Sequence, residues 1–213
     1  LGHFPESVTA VATNLRWIQS FSAGMDKFLY PEIIEREEVT VTNMAGLYAP
    51  QGGEHAWALL LALARGLLPS IQNMAERSWG GGGRPVIEIT GSTLGIIGLG
   101  GFGLETLQRA AGYDMRVLAL DPVRLEPPAG VEQVRPPTTE NLQWLLSEAD
   151  AVVVGCPLTA ETHHMIGADE LSAMKQSAYL VCVSRGGIIQ EDALADALHQ
   201  GTIAGAGLDV VEK

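Results

Sequence analysis

Five short runs in the second half of the chain, "LGIIG", "RVLALD", "AVVVGC", "AYLVCV" and "AGAGLDV", show no alternation of apolar and polar residues. A strand with one wet face must alternate, because successive side chains point to opposite sides. Runs that stay apolar on both sides belong to a sheet covered on both faces. The helical patterns between them, "ETLQRAAG", "TENLQWLLSEA" and "QEDALADALHQG", supply the covers. Strand followed by helix, repeated, makes a parallel sheet, since parallel neighbours need a long crossover. The sequence therefore predicts an α/β fold with a doubly wound parallel sheet from Leu94 onward.

The first of these strands runs into "GIIGLGGFGLETLQRA", where Gly98, Gly100 and Gly103 are spaced as GxGxxG between a strand and a helix. The first glycine permits the tight turn, the second lets a pyrophosphate approach the backbone, and the third lets helix and strand pack closely. The helix start adds unpaired N–H groups and a positive dipole end. Asp121, at the end of the next strand, strengthens the pattern: a carboxylate there binds the hydroxyls of an adenosine ribose and repels a 2′-phosphate. Arg124 works the other way, since a nearby arginine accommodates that phosphate. The balance favours NAD over NADP.

The chain has 213 residues, 46% of them hydrophobic, which gives room for a substantial core. Its formal net charge of −12 argues against a nucleic-acid partner, which demands a basic face. Cys156 and Cys182 each sit in an apolar run without metal-ligand spacing and read as reduced core residues of a cytoplasmic protein. The run "AWALLLALA" is far shorter than the roughly 20 residues of a membrane span. "LGHFPESV" has neither the basic start nor the apolar stretch of a signal peptide, and both ends of the chain read as cut.

Upstream, "LRWIQSF" and "EVTVTN" read as short strands. "GGEHAWALLLALARGLL" reads as one long helix, opened by Gly52-Gly53 with an acid in its first turn; apolar all round, it is expected to be buried all round as a connector between two lobes. Gly80 to Gly83 read as a surface loop.

Ligands of such sheets sit beyond the carboxyl ends of the strands. Pro157 ends one strand, as a rigid cofactor-side turn or as a simple loop proline. His163 and His164 follow, but no third ligand stands at useful spacing, so they read as a solvated loop pair and no metal is expected. In "VSRGG", Arg185 lies just past a strand end. Its guanidinium either grips a substrate carboxylate or caps the strand and pairs with a surface acid; the residues alone leave both open. The glycines behind it would let the backbone approach a nicotinamide.

Taken in order, "TLGIIGLGGFG", "LALDP", "CPLTAETHHMIGADELSAMK", "VSRGGIIQEDALADAL" and "IAGAGLDVVE" resemble the D-isomer-specific 2-hydroxyacid dehydrogenases. Upstream, "LRWIQSFSAGMDKF" and "VTVTNMAGLYAPQGGEHAWALLLALARGL" resemble the end of that family's substrate domain and its crossover helix. The resemblance implies a Rossmann-type NAD-binding domain with a partial flavodoxin-like substrate domain. It divides the chain into a substrate-domain remnant (1–47), an interdomain helix and dimerisation arm (48–93), and the NAD-binding domain (94–213). It assigns Arg185 to the substrate carboxylate and carbonyl. Gly101, Phe102, Cys156, Pro157, Thr162, Val183 and Ser184 are implied to line the cofactor, and Asp209 to hold the nicotinamide carboxamide. Backbone N–H groups of Ala23 and Gly24 are implied to meet the substrate carboxylate. Asn43 and the pair Glu54-His55 are assigned to interdomain packing and helix capping, and His55 is not taken as the catalytic base.

The function implied is hydride transfer between NAD(H) and C2 of a small D-2-hydroxy or 2-oxo acid, such as hydroxypyruvate, glyoxylate or phosphoglycerate, by a cytoplasmic homodimer without nucleic-acid or membrane partners. The family's acid–base histidine and its orienting glutamate are expected beyond Lys213, and Glu212 is not given that role. The chain as it stands is thus expected to bind NAD and to turn over 2-oxo acids negligibly. Three other readings stay open: a formate-type dehydrogenase, a non-catalytic NAD-sensing interaction module, and an incomplete gene product.

Overall fold

The computed structural model describes residues 6–9, 11–25, 29–80 and 86–212. They fall into two compact units, Leu1–Pro50 and Gln51–Lys213, each with hydrophobic packing of its own. Most of the expected glycine loop, Gly81 to Gly83, lies outside the described residues.

In the first unit α1 (Glu6–Thr9), β1 (Trp17–Gln19), α2 (Pro31–Ile34) and β2 (Thr40–Thr42) follow one another. The two strands pair in parallel with Ile18 opposite Val41. Pro31 opens α2, where a missing N–H leaves no bond unmade. Ile18, Ile33 and Val39 are buried, with Leu15, Met25, Tyr30 and Val41 packed around them.

The second unit takes in α3 (Ala49–Ala64) from Gln51 onward, then α4 (Leu67–Ala75). There follow β3 (Thr93–Ile97), α5 (Gly101–Ala110), β4 (Arg116–Leu120), β5 (Gln133–Arg135), α6 (Thr139–Glu148), β6 (Ala151–Val154), α7 (Ala168–Ala173), β7 (Tyr179–Cys182), α8 (Glu191–Gln200) and β8 (Gly205–Leu208). The six strands β3 to β8 form one sheet in the order β5-β4-β3-β6-β7-β8, parallel at every pairing. The order reverses between β3 and β6, as in a doubly wound sheet.

Strand periodicity explains the unbroken apolar runs. Leu94, Ile96, Val117, Ala119, Val153 and Val181 point to one face, where Trp57 and Leu60 of α3 and Leu107 of α5 cover them. Ile97, Leu118, Leu120, Val152, Val154 and Leu180 point to the other, beneath Leu145, Leu171 and Leu194 of α6, α7 and α8. Burial of each such side chain stabilises the fold by about 1.5–3 kcal/mol. Away from the carboxyl edge, Asp150 accepts from the Thr93 N–H at 2.8 Å and pairs with Lys175 at 2.8 Å, tying the start of β3 to the approach to β7.

The long apolar helix departs from expectation in three ways. It begins at Ala49, so Gly52 and Gly53 lie inside it and Glu54 is past the first turn, reaching Arg109 at 3.4 Å. It is not buried all round: Gly53, Ala56, Trp57, Leu60 and Ala64 form a buried stripe at helical spacing, while Ala58 is exposed. It also stops at Arg65-Gly66, and α4 continues at a bend of 68°. The reason for the stripe is that α3 lies on one sheet face only. A Cβ at Gly207 of β8 would sit 2.9 Å from the Cβ of Leu59, and one at Gly205 3.2 Å from a methyl of Leu63, so bare backbone lets the helix rest directly on the strand. No helix of the described residues is by itself long and apolar enough to cross a membrane.

Two elements of the sheet domain, β5 and α7, are additional to those read from the sequence. The edge strand β5 is three residues long, with only Val134 buried, too short to show a pattern. The short helix α7 follows Gly167, where the Glu170 carboxylate accepts from the Gly167 N–H at 3.0 Å.

Candidate active site

The strands of the second unit stop in step. Leu120 pairs with Ile97, Ile97 with Val154, Val154 with Cys182, and Cys182 with Leu208. The next residues are Asp121, Gly98, Gly155, Val183 and Asp209, which therefore emerge side by side at the carboxyl edge, neighbours about 4.8 Å apart. Gly98 and Val183 are two intervals apart, roughly 10 Å, and Asp121 and Asp209 four, roughly 19 Å.

At the first turn, each glycine of the GxGxxG pattern has a different reason to be one. Gly98 has φ 94°, and a Cβ there would sit 2.8 Å from the Cys156 nitrogen. A Cβ on Gly103 would collide with the carbonyl oxygen of Gly98, so this glycine sets how close α5 comes to β3. A Cβ on Gly100 would meet no atom within 4 Å. Nothing in the chain itself requires glycine at position 100; the exposed flank it leaves suits a group from outside. The first-turn amides of α5 have no intrahelical acceptor, as at any helix start.

Asp121 is 9% exposed, and its carboxylate is held from three directions. Oδ2 accepts from the Leu99 N–H at 2.8 Å, and Oδ1 from the N–H groups of Val123 and Arg124 at 2.9 and 2.7 Å. Burial works to raise its pKa, but the amides of Arg124, Val123 and Leu99 and the charge of Arg124 outweigh it and hold the carboxyl below the usual range. A carboxylate accepts roughly four hydrogen bonds, so the anchored group retains one acceptor direction.

Arg185 follows β7 by three residues and is half-buried; its Nη1 donates to the Ser184 carbonyl at 2.7 Å. Asp209, one residue past β8, donates its N–H to the Cys182 carbonyl at 3.0 Å, and its Oδ1 lies 3.1 Å from Nε2 of His55.

Residues 57–213 match the model of the D-isomer specific 2-hydroxyacid dehydrogenase NAD binding domain. The chain belongs to this dehydrogenase family. It is 38% identical over 213 residues to a glyoxylate reductase of Korarchaeum cryptofilum, covering 97% of this chain and 62% of that protein. A glycerate dehydrogenase of Methylorubrum extorquens is 37% identical over 179 residues, 81% of this chain and 54% of its own length. Among solved structures, D-lactate dehydrogenase from Aquifex aeolicus, complexed with NAD and lactic acid, superposes with a TM-score of 0.82 at 28% identity, over 99% of this chain and 62% of that one. The chain thus spans less than two thirds of the length of these relatives.

Of the residues expected from the sequence to meet the cofactor, Gly98, Gly100, Gly101, Phe102, Gly103, Asp121, Cys156, Pro157, Val183, Ser184 and Asp209 lie at or just beyond the carboxyl edge. Cys156 and Val183 turn their side chains into the core, at 8% and 4% exposure, which leaves their backbone for a ligand. Burial pushes the Cys156 thiol up to about 12, with Cys182 adding to the effect. Thr162 is tied back to the strand end: its hydroxyl donates to the Pro157 carbonyl at 2.7 Å and accepts from the Thr159 N–H at 2.7 Å. The ring of Phe102 packs against Gly52 of α3. Ala23 and Gly24 belong to the first unit, where Asn43 donates to the Ala23 carbonyl at 2.7 Å and braces that turn.

One sequence reading needs correction, and one glycine has a reason within the chain: a Cβ on Gly186 would collide with the carbonyl oxygen of Val211. His163 and His164 do meet a third group, Glu212, at 3.5 and 2.8 Å. Hydrogen bonding from His164 holds the Glu212 carboxyl low. The two rings stack with centroids 3.9 Å apart and planes 28° apart, and one ligand atom from each of the two histidines and Glu212 lies within 4.8 Å of the others, a spacing that could hold a metal ion. The trio is a clasp between the loop after β6 and the segment after β8, closed by the hydrogen bond of His164 with Glu212. Sequence spacing held no signal for it, because the partners are 48 residues apart.

Proposed function

We propose that the whole protein is a cytoplasmic NAD-dependent oxidoreductase that transfers a hydride between NAD(H) and C2 of a small D-2-hydroxy or 2-oxo acid, such as glyoxylate, hydroxypyruvate or phosphoglycerate. The observation that carries this reading is the shared carboxyl edge, with a glycine turn and an anchored carboxylate toward one side and Arg185 and Asp209 toward the other. The residues fit a dinucleotide: Gly100 has an open flank, α5 begins there with donor amides and its positive dipole end, and Asp121 keeps an acceptor direction for a ribose hydroxyl. The charge of Asp121 disfavours a 2′-phosphate, hence NAD over NADP. The names of the relatives, a glyoxylate reductase and a glycerate dehydrogenase, support the substrate class.

In this reading Gly98, Gly100, Gly101 and Gly103 make the pyrophosphate seat, Phe102, Pro157, Thr162, Ser184 and the backbone of Cys156 and Val183 line the cofactor, and Asp209 takes the carboxamide. Bound there, the cofactor supplies or accepts the hydride. Arg185 grips the substrate carboxylate with its planar fork and stabilises negative charge developing on the reacting oxygen. The hydroxyl proton is assigned to the acid–base histidine that the family resemblance implies, a contribution of roughly 10²–10⁴-fold. The test is NADH consumption by the whole protein over a panel of glyoxylate, hydroxypyruvate and pyruvate, with NAD reduction by formate as control. Turnover of the 2-oxo acids is expected; a folded sample that binds neither NAD nor NADH would sink the reading.

The protein is further assigned as a homodimer joined through α4. Leu68, Ile71 and Met74 are 65%, 61% and 79% exposed, an apolar face that isolated monomers rarely present. Light scattering should give twice the monomer mass, and Ile71→Glu should halve it; a monomeric wild type would refute the assignment.

A further inference from the structure

The packing of α3 on β8 is a ladder with a fixed stride. Four residues of helix advance about 6 Å and two residues of strand about 6.6 Å, so a helix lying antiparallel along a strand meets it in steps of four against two. Leu63 lies over Gly205 and Leu59 over Gly207. The next step along the same ladder is His55 over Asp209, and there Nε2 is 3.1 Å from Oδ1. The pair is thus set by two backbone-tight contacts below it, and is not a chance meeting of long surface side chains. The side chains of His55 and Asp209 remain 48% and 47% exposed, which leaves the carboxylate accessible to a ligand. The main chain of Asp209 is held as well, by its bond to Cys182.

We propose that His55 is a positioning residue: its ring, with Nε2 3.1 Å from Oδ1, limits the rotation of the Asp209 carboxylate and leaves Oδ2 as the acceptor for the cofactor's carboxamide N–H. The inference rests on the NAD-dependent reading above. The terminal torsion of an aspartate is broad when nothing holds it, so a carboxylate without His55 must be ordered by the ligand itself. His55 therefore acts through Asp209 and touches no reacting atom.

The test separates the amide from the rest of the cofactor. Calorimetric titrations of the intact protein use NAD and its 3-acetylpyridine analogue, which keeps the carbonyl but has no N–H to donate, against wild type, His55→Phe and His55→Gln. His55→Phe should weaken NAD roughly tenfold, the low end for a hydrogen bond to a charged group. The analogue should change by less than about twofold, because it never uses the positioned oxygen. His55→Gln, whose amide N–H can reach the same carboxylate, should recover most of the NAD affinity. Equal losses for both dinucleotides, or none for either, overturn the inference while the NAD reading stands. A folded wild type that binds neither dinucleotide overturns both. Thermal melts of each variant show that the comparison is between folded proteins.

Discussion

Gly100 and Gly103 belong to one motif, yet replacing each with alanine should do opposite things. At Gly100 the backbone lies at φ −75°, which alanine adopts without strain, and the new methyl would meet no atom within 4 Å. A compatible Gly→Ala change stabilises by about 0.4–1 kcal/mol through the unfolded chain. For a chain of this size that is roughly 1–4 °C in melting temperature. The same methyl fills the flank assigned to the pyrophosphate, so NAD affinity should fall at least about tenfold, or 1.4 kcal/mol. At Gly103 the methyl would overlap the Gly98 carbonyl oxygen, which is backbone and cannot rotate away. Helix α5 must lift from β3, at an overpacking cost of about 1–3 kcal/mol or more, and the melting temperature should drop by roughly 2–12 °C. Melting curves and NAD titrations on both variants are sufficient. If Gly100→Ala melts as low as Gly103→Ala, the open flank is not open; if it binds NAD like the wild type, no phosphate passes there.

Arg185→Lys should leave NAD affinity within about twofold and lower kcat/KM for a 2-oxo acid by roughly 100-fold, since lysine lacks the planar fork; unchanged kcat/KM removes Arg185 from the substrate. Asp121 has a folded pKa below its ordinary 3.8, so the stability it contributes is complete above that value and is lost as pH falls through the lower folded value. Asp121→Asn should therefore flatten the acid limb of the melting temperature against pH, and an unaltered limb would show that the three amides do not bind a charge. Cys156, with its thiol pushed up to about 12, should resist alkylation in the folded protein and react once denatured; rapid labelling of native protein, mapped by mass spectrometry, would contradict its burial.

Much of the second unit was legible because its physics is local. Apolar runs without alternation announced two covered faces, and Leu94 to Ile97 with Leu118 to Leu120 and Val152 to Val154 fill both. The glycine turn and Asp121 could be read because strand, turn and helix are contiguous. What stayed hidden depended on partners far along the chain. The start of α3 at Ala49 overrode the helix-breaking look of Gly52-Gly53, since both glycines pack where side chains would collide with Phe102 and Glu105. The clasp of His164 on Glu212 and the meeting of His55 with Asp209 come from parallel pairing and helix-on-strand packing, which no spacing in the sequence encodes. The strand β5 was missed for a simpler reason, having one buried residue in three.

The anchoring of Asp121 bears on any attempt to retarget this scaffold to a phosphorylated dinucleotide. Its side chain is the acceptor for three main-chain donors, those of Leu99, Val123 and Arg124. Exchanging it for a small neutral residue would strand those donors as well as remove the repelling charge, and the loop that should greet the extra phosphate would lose its shape. Cofactor preference here is a property of a whole turn, to be transplanted as a segment and not edited one letter at a time.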